Sequence, residues 1–580
     1  MKVSDYVTEF LLEQKIDKVF SYIGKNAHIC DSIDKHEGIE NIFTIHEQGA
    51  GFAAGAYARV TGKTGVVTVT SGPGAANIIT SLADAYFDSI PLLYIVGDVP
   101  PSECKGSRSI RQFGFQETDI VKISKEITKY SVHILALEDI RYAFEKAHFL
   151  SQHGRKGSVL ISLPENLQFR TDFYPENEKS FFDSLEYKQS ILKDNILVKN
   201  NQIDAVVNLI NNASRAVILV GGGVRLSKST EELDTLLKKS NIPVVYSLMG
   251  KDSVSSQYPY NLGFIGNFGT RYANFTVANS DLLIVLGSRL DNLQTGRNIE
   301  TFAKNAKIVQ VDIDKNELGI RVDTDLLIHS DIKHFLEALN KKSITPNIDS
   351  WQKKVLEYKA NYPSEYALDK SDRVGNQIML RISEHLTPDD VVCVDVGEHQ
   401  MLVAQSLKIK ERQRVLFSGA FGAMGFALPS AIGAALATAK RAIVISGDGG
   451  FQMNIQELEI IKRRNLPIKI FIINNASLHM VKLRQDAYLE GNLVGSQKDY
   501  SVPNFKKIAE AYGIKSYEVE KTEDIYQRIE ECLENNKPEL IDIKISAEMT
   551  TVEPRLDFNR PFADMRPYLS RECFKKEMLR

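Results

Sequence analysis

The sequence predicts an α/β protein made of three doubly wound parallel-sheet domains. Two observations lead to this prediction. Short, continuous, apolar runs rich in β-branched residues recur along the chain, and most of them stop at a glycine or a polar residue. Such runs are typical of strands buried on both faces. In addition, 580 residues are too many for one core, and the length favours about three or four domains.

Composition places the chain among ordinary globular proteins. Charged residues make up 25% and apolar residues 43% of the sequence, as in typical globular domains. The net charge of −3 gives no reason to expect a nucleic-acid partner, and no apolar run is long enough to predict a membrane span. The five cysteines are scattered without metal-ligand spacing, which predicts reduced thiols in a cytoplasmic protein.

The first domain is predicted over residues 1–170. An amphipathic helix over 4–14, capped by Ser4 or Asp5, precedes strands at 19–23, 42–46, 66–70, 92–96 and 159–164. Gly24 ends the first strand, and Glu47 stands where the second strand runs into a helix of small residues. Glu47 is either a helix-capping carboxylate or a buried carboxyl that shares a proton with a ligand. Polar, irregular sequence up to about residue 190 predicts a linker.

The second domain is predicted over residues 190–345. Its strands are expected at 216–220, 244–246, 282–286 and 308–312. Gly221, Gly222 and Gly223 follow the first of these strands, but their spacing is not GxGxxG. Arg289 and Asp312 lie at the ends of later strands, where open α/β sheets bind nucleotides. Acidic strand ends are common, so these residues alone are a weak indication of a nucleotide site.

The third domain is predicted over residues 365–548, after a polar helical stretch over 351–370. A strand at 441–446 leads into a turn with three glycines, whose backbone can approach a phosphate closely. A helix over 453–464 and a strand over 468–473 follow, and the second strand ends at paired asparagines. The residues of this motif are Gly447, Asp448, Gly449, Gly450, Asn474 and Asn475.

This motif predicts a magnesium site. Asp448 and Asn475 come from the ends of two strands separated by one crossover. A carboxylate oxygen, an amide oxygen, a backbone carbonyl such as that of Ser477, and phosphate oxygens together suit Mg²⁺. The alternative is an ordinary strand-turn-helix with a capping aspartate, and the paired asparagines argue against it.

The motif resembles that of the thiamine diphosphate (ThDP) enzymes. GDGGFQMNIQEL followed by INNASLHMV is similar to the acetolactate synthase branch of these enzymes, and so are HEQGAGFAAGAYAR, TSGPGAAN, FQETD and VGEHQM. The resemblance extends over almost the whole chain to about residue 548. It implies three α/β domains in the order pyrimidine-binding, middle and diphosphate-binding.

The resemblance assigns roles to residues of the first and third domains. Glu47 would bond the cofactor's aminopyrimidine, and Phe115 and Gln116 would border the substrate. Met424, which could otherwise be simple core, would be the apolar wedge that bends the cofactor, and the Gly422 carbonyl would accept from its amino group. The other ThDP-binding positions implied are Gly24, Ser71, Pro73, Asn77, Val396, Gly397, Glu398, His399, Gly447, Asp448, Gly449, Gly450, Asn475, Ser477, Met480 and Val481.

The resemblance also implies FAD in the middle domain, although this chain departs from the family at several positions. The flavin would lie at the loops containing the glycine run 221–223, Arg289 and Asp312, but Phe264-Ile265 replaces the usual Met-His. Glu398 replaces a glutamine in the diphosphate loop. Arg484 replaces the tryptophan that shapes the pocket for the second oxo acid, and is either a solvated surface charge or a contact for a different anionic acceptor.

The implied function is a carboligase that uses ThDP, Mg²⁺ and FAD. Pyruvate would be decarboxylated and its two-carbon unit transferred to an acceptor carbonyl, which gives acetolactate when the acceptor is pyruvate. A specialised acceptor such as a keto-sugar nucleotide, a flavin-dependent pyruvate oxidase and a simple decarboxylase are the alternatives. A homodimer is the smallest active form implied, often within a homotetramer. A regulatory subunit is left open, and so is the role of the C-terminal tail over 549–580, in specificity or in oligomer contacts.

Overall fold

The computed structural model describes residues 1–194 and 198–579. Residues 195–197 of the predicted second domain and residue 580 of the tail lie outside the described residues. Within the described part, the strands form three six-stranded sheets in which neighbouring strands are parallel. The predicted α/β class with three parallel-sheet domains is therefore confirmed.

Each sheet is formed by one continuous stretch of the chain, at residues 18–164, 216–329 and 391–544. The strands are β1 Lys18–Ser21, β2 Glu40–Phe43, β3 Gly65–Thr70, β4 Leu92–Asp98, β5 Tyr130–His133, β6 Val159–Pro164, β7 Ala216–Val220, β8 Val244–Tyr246, β9 Asn261–Phe264, β10 Leu282–Leu286, β11 Lys307–Asp312, β12 Leu326–His329, β13 Val391–Val394, β14 Arg414–Phe417, β15 Ala442–Gly447, β16 Ile468–Asn474, β17 Lys515–Val519 and β18 Glu539–Lys544.

Helices make most of the connections between these strands, whereas 3₁₀ turns lie between β8 and β9 and between β11 and β12. The helices are α1 Val3–Glu13, α2 Ala27–Lys35, α3 Glu47–Thr61, α4 Pro73–Asn77, α5 Ile79–Phe87, α6 Ile120–Ser124, α7 Ile140–Gln152, α8 Glu165–Gln168, α9 Leu185–Asp194, α10 Asn200–Asn212, α11 Gly223–Leu226, α12 Thr230–Ser240, α13 Arg271–Ala278, α14 Asn292–Thr295, α15 Ile332–Asn340, α16 Asp349–Asn361, α17 Val374–His385, α18 Glu398–Ser406, α19 Ala427–Thr438, α20 Asp448–Gln452, α21 Leu458–Arg463, α22 His479–Tyr488, α23 Phe505–Ala511, α24 Thr522–Leu533, α25 Ala547–Thr550 and α26 Arg571–Glu577.

The strand order places the predicted ligand loops at the switch points of the sheets. The orders are β2-β1-β3-β4-β6-β5, β12-β11-β10-β7-β8-β9 and β14-β13-β15-β16-β18-β17. The direction of winding therefore reverses between β1 and β3, between β7 and β10, and between β13 and β15. Ligands of open α/β sheets bind in the crevice at such a point. The loops after these strands begin near Gly24 and Ser71, near Gly221 and Gly287, and near Val396 and Asp448.

The first and third domains pack against each other through α3 and α19. A Cβ at Gly433 would lie 1.9 Å from the carbonyl oxygen of Ala53, so only glycine permits this approach of the two helix backbones. The rings of Phe52 and Phe426 meet edge to face beside it, with centroids 5.5 Å apart. The first and third domains, which carry the segments predicted to bind the cofactor, are therefore joined by a direct, close-packed interface.

Several predicted element ends are wrong. Helix α1 begins at Val3 with Lys2 as its N-cap, so Ser4 and Asp5 lie inside the helix and do not cap it. Helix α16 ends at Asn361 and does not continue to 370, because a residue that precedes proline, here Tyr362, disfavours helical backbone. The predicted linker contains α9 and a 3₁₀ turn that buries Phe181 in the first domain.

The predicted helix over 453–464 is also wrong, because the structure breaks it. Helix α20 begins earlier, at Asp448, and a 3₁₀ turn over Ile455–Glu457 separates it from α21. The break turns the Glu457 side chain towards the first domain, where it accepts hydrogen bonds from backbone amides. Finally, none of the helices within 1–194 and 198–579 is long and apolar enough to cross a membrane.

Candidate active site

Glu47 lies at the first position of α3, buried in the first domain. Its Oε2 accepts a hydrogen bond from Asn77 Nδ2 at 2.9 Å. A Cβ at Gly74 would lie 3.2 Å from Glu47 Oε1, so the loop after β3 packs directly on the carboxylate. The predicted residues Glu47, Ser71, Pro73 and Asn77 thus come together at the carboxyl ends of β2 and β3. Ser71 Oγ is buried and has no hydrogen-bond partner within the described residues.

Gln116 and Phe115 lie next to this cluster. A Cβ at Gly72 would come within 2.8 Å of Gln116 Cβ, and Gln116 Oε1 accepts from Lys25 Nζ at 3.1 Å. The Lys25 ammonium also lies 5.5 Å from the centre of the Phe115 ring. Phe115 itself is 78% exposed. The apolar residue predicted to border the substrate is therefore at the surface of the first domain, beside Gly24 and Ser71.

The diphosphate loop of the third domain follows β13. His399 lies in the first turn of α18, and a Cβ at Gly447 would approach its ring to 3.0 Å. The loop with Val396, Gly397 and His399 thus faces the turn at the end of β15. Burial lowers the pKa of His399 to about 4, so the ring is neutral near pH 7. Its Nε2 is buried without a hydrogen-bond partner in the described residues.

Asp448 has one bonded and one unbonded carboxylate oxygen. Oδ1 accepts from Tyr500 Oη at 3.0 Å and from Gly449 N at 2.7 Å. Oδ2 is buried and finds no hydrogen-bond partner among the described residues. Burial raises the pKa of Asp448. A buried carboxylate oxygen without a partner destabilises the fold unless a cation or a hydrogen-bond donor binds to it. The site therefore fits a metal ion.

Asn475 is oriented by Thr550. Thr550 Oγ1 donates to the Ala547 carbonyl at 3.1 Å and must therefore accept from Asn475 Nδ2, which lies 3.0 Å away. Asn475 Oδ1 accepts no hydrogen bond within the described part of the chain, so it can face a cation. The described residues contain no cluster of three or more His, Cys, Asp or Glu side chains that could hold a metal. Mg²⁺ needs no such cluster, because it commonly binds one carboxylate together with ligand phosphates.

Asp395 connects three of the segments predicted to bind the cofactor, and it was not among the predicted site residues. Its carboxylate accepts from the backbone amides of Val396, Gly425 and Ala427 at 2.8, 2.9 and 3.2 Å. A Cβ at Gly450 would lie 2.8 Å from Asp395 Oδ1. Burial raises the pKa of Asp395 to about 6, and the amides oppose that shift. The sequence signal that could have identified Asp395 is an acidic residue directly after a buried strand, where ligands of parallel sheets bind.

The loop that carries Gly422 and Met424 is held by the first domain. Asp88, just after α5, accepts from Gly419 N and Ala420 N at 2.8 Å each. Asp84 on α5 accepts from Ser418 Oγ at 2.5 Å, and Ser418 Oγ in turn accepts from Ala423 N. Burial raises the pKa of both carboxyls. A Cβ at Gly449 would lie 3.4 Å from Met424 Cε, so this loop reaches the metal motif.

We expect Asp88→Asn to lower the free energy of unfolding by about 1–3 kcal/mol, because its amide group can accept from only one of the two buried backbone donors. We also expect weaker cofactor binding, since the loop with Met424 would be less well fixed. Thermal unfolding and calorimetric cofactor titration measure the two effects. Asp34→Asn, at an exposed position, is the matched control. Equal stability and affinity in both variants would contradict the role of Asp88.

Glu398 points away from the phosphate loop. Its Oε1 accepts from Val552 N at 2.6 Å, and its Oε2 lies 2.6 Å from His479 Nδ1. Both side chains are buried. The substitution of glutamine by glutamate is thus accommodated by a histidine on α22 and by the tail, and the carboxylate does not have to face an anion.

Helix α22 carries the predicted residues Met480, Val481 and Arg484. Met480 is partly buried against the third-domain core, whereas Val481 is 48% exposed. Arg484 is exposed and makes no ion pair within the described residues. At the end of the helix, the Tyr488 ring stacks on Phe558 of the tail, with centroids 5.4 Å apart. The tail therefore reaches the helix on which an acceptor contact is predicted.

The predicted flavin loops line a large cavity between the domains. Gly221 and Gly223 are explained by packing, because a Cβ at either would collide with the backbone of Gly287. The cavity has a volume of about 1170 Å³. Among the described residues, Glu47 is not part of its wall. The predicted residues that line it are Gly222, Gly223, Arg289, Asp312, Val396, Gly397, Gly422 and Met480.

Three family models match successive parts of this chain. They are the N-terminal TPP binding domain of thiamine pyrophosphate enzymes at residues 1–123, the central domain at 203–339 and the C-terminal TPP binding domain at 395–543. Each match falls on the stretch that contains one of the three sheets.

Similar proteins extend over nearly the full chain. Acetolactate synthase 2, chloroplastic, of Nicotiana tabacum is 35% identical over 579 residues, which cover 97% of this chain and 85% of that protein. The acetolactate synthase large subunit of Lactococcus lactis subsp. lactis (strain IL1403) is 36% identical over 557 residues, which cover 94% and 92%. Together with the three matched domains, this similarity shows that the chain belongs to the thiamine pyrophosphate enzymes, in the acetolactate synthase branch.

Proposed function

We propose that the protein decarboxylates pyruvate and transfers the resulting two-carbon unit to an acceptor carbonyl, with ThDP and Mg²⁺ as cofactors. The observation that carries this proposal is a pair of buried third-domain atoms, Asp448 Oδ2 and His399 Nε2, for which the described residues offer no hydrogen-bond partner. They lie on loops at the switch point between β13 and β15. The first atom suits a metal ion, and the second suits a phosphate oxygen if the ring carries its proton there.

The chain supplies positioning and proton handling for this chemistry. ThDP, when bound, provides the electron sink that makes decarboxylation of a 2-oxo acid feasible. Asp448, Asn475 and the Ser477 carbonyl would hold the metal, and Glu47 would hold a proton on the pyrimidine side of the site. Met424 would fix the bend of the cofactor. The exposed Phe115 would help exclude water from the reacting carbons once the site is complete.

We propose a homodimer, or a homotetramer built from such dimers, as the active form, and a cytoplasmic location. Glu47 is absent from the described wall of the cavity that contains Val396, Gly422 and Met480, which favours a site completed by a second copy. Exposed apolar side chains surround both half-sites, including Ile23, Phe113, Phe115, Met453 and Val481. Patches of this kind commonly mark interfaces. The cysteines 30, 104, 393, 532 and 573 are free thiols, which agrees with a reducing compartment.

We propose that FAD occupies the middle-domain part of the cavity of about 1170 Å³, which is lined by Gly222, Gly223, Arg289 and Asp312, and that Val396, Gly422 and Met480 line the part left for ThDP. The volume of the cavity and its position at the switch point between β7 and β10 support a dinucleotide. Asp312, whose pKa burial raises to about 6, lies in its wall together with Arg289. The bounds 1–170, 190–345 and 365–548, followed by the tail, remain the proposed division of the chain, since each sheet lies within one of these stretches.

A second candidate function differs only in the acceptor. Arg484 is exposed on α22, has no ion-pair partner within the described part of the chain and sits one helical turn from Met480. A free cation at this position favours an anionic acceptor larger than pyruvate, such as a keto-sugar nucleotide. The acceptor decides between the two functions, while the donor half of the reaction is the same.

Product analysis tests these functions. The purified protein is incubated with ThDP, Mg²⁺, FAD and pyruvate, and we expect acetolactate to form. Release of CO₂ without acetolactate would favour the second candidate, and larger anionic ketones would then be tried as acceptors. Bleaching of the flavin absorbance by pyruvate in the absence of oxygen would favour a pyruvate oxidase. Pyruvate that remains unconsumed under all conditions would contradict the proposed function.

A further inference from the structure

Glu457 of the third domain reaches across the domain interface to the strand-to-helix junction that precedes Glu47. Its Oε2 accepts from Ile45 N at 3.2 Å and its Oε1 from His46 N at 3.0 Å. The side chain is 0% exposed and makes no salt bridge within the described residues. Two consecutive backbone amides of the first domain are therefore bound by one carboxylate of the third.

The sequence of α3 is adapted to this carboxylate. A Cβ at Gly49 would lie 2.4 Å from Glu457 Oε1 and 2.8 Å from Glu457 Cδ. Glycine inside a helix weakens the helix relative to alanine. The close approach of Glu457 explains why a glycine stands at position 49. Gly55 on the same helix differs, because a Cβ there would meet only Leu92 Cδ1, at an ordinary contact distance of 3.9 Å.

Neighbouring third-domain residues bind the same segment. Arg463 Nη2 donates to the Phe43 carbonyl at 2.5 Å, and Arg464 donates to the Asn41 carbonyl at 3.2 Å. These contacts hold the end of β2, whereas Glu457 holds the residues between β2 and α3. The direction in which the chain leaves β2 and enters α3 is therefore set from the third domain, and Glu47 is the first residue of that helix.

The hydrogen bonds to two backbone amides explain why residue 457 is a carboxylate despite its burial. Burial of a carboxyl group away from water is costly, and here it raises the pKa of Glu457 to about 7 although the two amides lower it. An apolar side chain would fill the space at less cost but would leave two buried amide donors unsatisfied. The carboxylate is the group that can accept from both amides at once and so fix their separation and direction.

We propose that Glu457 is a positioning residue for Glu47, acting across the interface between the third and first domains. It does not contact the reacting atoms. It fixes Ile45 and His46, and through them the position and direction of the first turn of α3. The Glu47 carboxylate, at the start of that turn, is thereby held within hydrogen-bond distance of its ligand. This inference rests on the proposed function, in which Glu47 binds the pyrimidine side of ThDP.

The test compares Glu457→Gln and Gly49→Ala with Gly55→Ala as the matched control. In Glu457→Gln one of the two amides loses its acceptor, and in Gly49→Ala the carboxylate is displaced but still present. The first readout does not depend on activity: amide hydrogen exchange is measured by mass spectrometry on peptides that contain residues 45 and 46. The other readouts are the ThDP dissociation constant at saturating Mg²⁺, and kcat and KM for pyruvate.

We expect exchange at residues 45 and 46 to accelerate at least about tenfold in both test variants, as a lost hydrogen bond would cause. We expect kcat to fall by about 10–100-fold, the usual effect of misplacing a catalytic group by a fraction of an ångström, with KM for pyruvate nearly unchanged. Gly55→Ala should match the wild-type protein in every readout. If Glu457→Gln does not fold, Gly49→Ala decides the matter.

Two outcomes would overturn the proposal. Unchanged exchange at residues 45 and 46 would mean that Glu457 does not hold these amides. Faster exchange with wild-type kcat and ThDP affinity would mean that it holds them without positioning Glu47. Failure of the proposed function looks different, because the wild-type protein itself would then neither bind ThDP nor consume pyruvate.

Discussion

The Glu47→Gln variant is expected to lose about 10²–10⁴-fold of kcat, the range typical for removing a general acid–base group, while it still binds Mg²⁺ and ThDP. Glu47 is buried at the start of α3 and is bonded to Asn77. Glutamine keeps the shape of the side chain and can still interact with Asn77. It cannot take up or release a proton, and that is the property the proposed mechanism requires.

Cofactor binding and turnover have to be measured separately for this variant. Calorimetric titration gives the ThDP dissociation constant, and pyruvate consumption gives kcat. Glu37→Gln, which changes an exposed carboxyl in the same domain, is the matched control and should behave like the wild-type protein. Turnover at the wild-type level in Glu47→Gln would refute the assignment of Glu47, and loss of ThDP binding with normal thermal stability would show that its role is in affinity.

The strands of the third domain show why the fold was predictable. Residues 442–447 and 468–474 are mostly apolar, with Lys469 as the charged exception, because both faces of a parallel sheet are covered. Asp448 and Asn475 directly follow these strands, so the sequence alone placed both side chains at the same edge of the sheet. The same holds for Ser71 after β3 and His399 after β13. Local sequence was sufficient for this part of the site.

The contacts between domains were not predictable in this way. Glu457 lies 412 residues from Ile45 in the sequence, and Asp88 lies 332 residues from Ala420. The apolar pattern of residues 453–464 suits a continuous helix. The structure has a 3₁₀ turn there instead, with Asn454 bonded to the Gly425 carbonyl and Glu457 bonded to the first domain. Asp84 and Asp88 resemble ordinary helix-surface acids. Their roles depend on a partner surface that the local pattern does not contain.

Glu398 was predictable in its position but not in its contacts. Its position in the diphosphate loop was predictable, and a carboxylate beside an anion was recognisably unsuitable there. The solution involves residues far away in sequence: His479 lies 2.6 Å from one oxygen, and Val552 N donates to the other. The tail enters the site at the same place, since Thr550 orients Asn475. The tail is thus built into the proposed metal and phosphate site from its first residues.

The Asp448→Asn variant is expected to lose Mg²⁺ affinity by more than about 100-fold, since changes in residues that merely support a metal ligand already cost 10–100-fold. Oδ2, which has no hydrogen-bond partner among the described residues, would become an amide nitrogen or a neutral oxygen, and neither binds Mg²⁺ as a carboxylate oxygen does. Mg²⁺ titration at fixed ThDP measures this loss. Asp499→Asn, in an exposed turn of the same domain, serves as the control.

The same variant also tests whether the site is shared between two copies. Chains with Glu47→Gln and chains with Asp448→Asn are co-expressed with different tags, and the mixed dimers are isolated. They are assayed at an Mg²⁺ concentration that saturates the wild-type protein but leaves Asp448→Asn inactive. If the first domain of one copy completes the third domain of the other, one site of each mixed dimer carries both changes and the second site carries neither. Mixed dimers should then regain about half of the wild-type activity, as two equivalent sites in a symmetric dimer require. Stable mixed dimers without activity would place Glu47 and Asp448 in the same site of one chain and would contradict the proposed shared site.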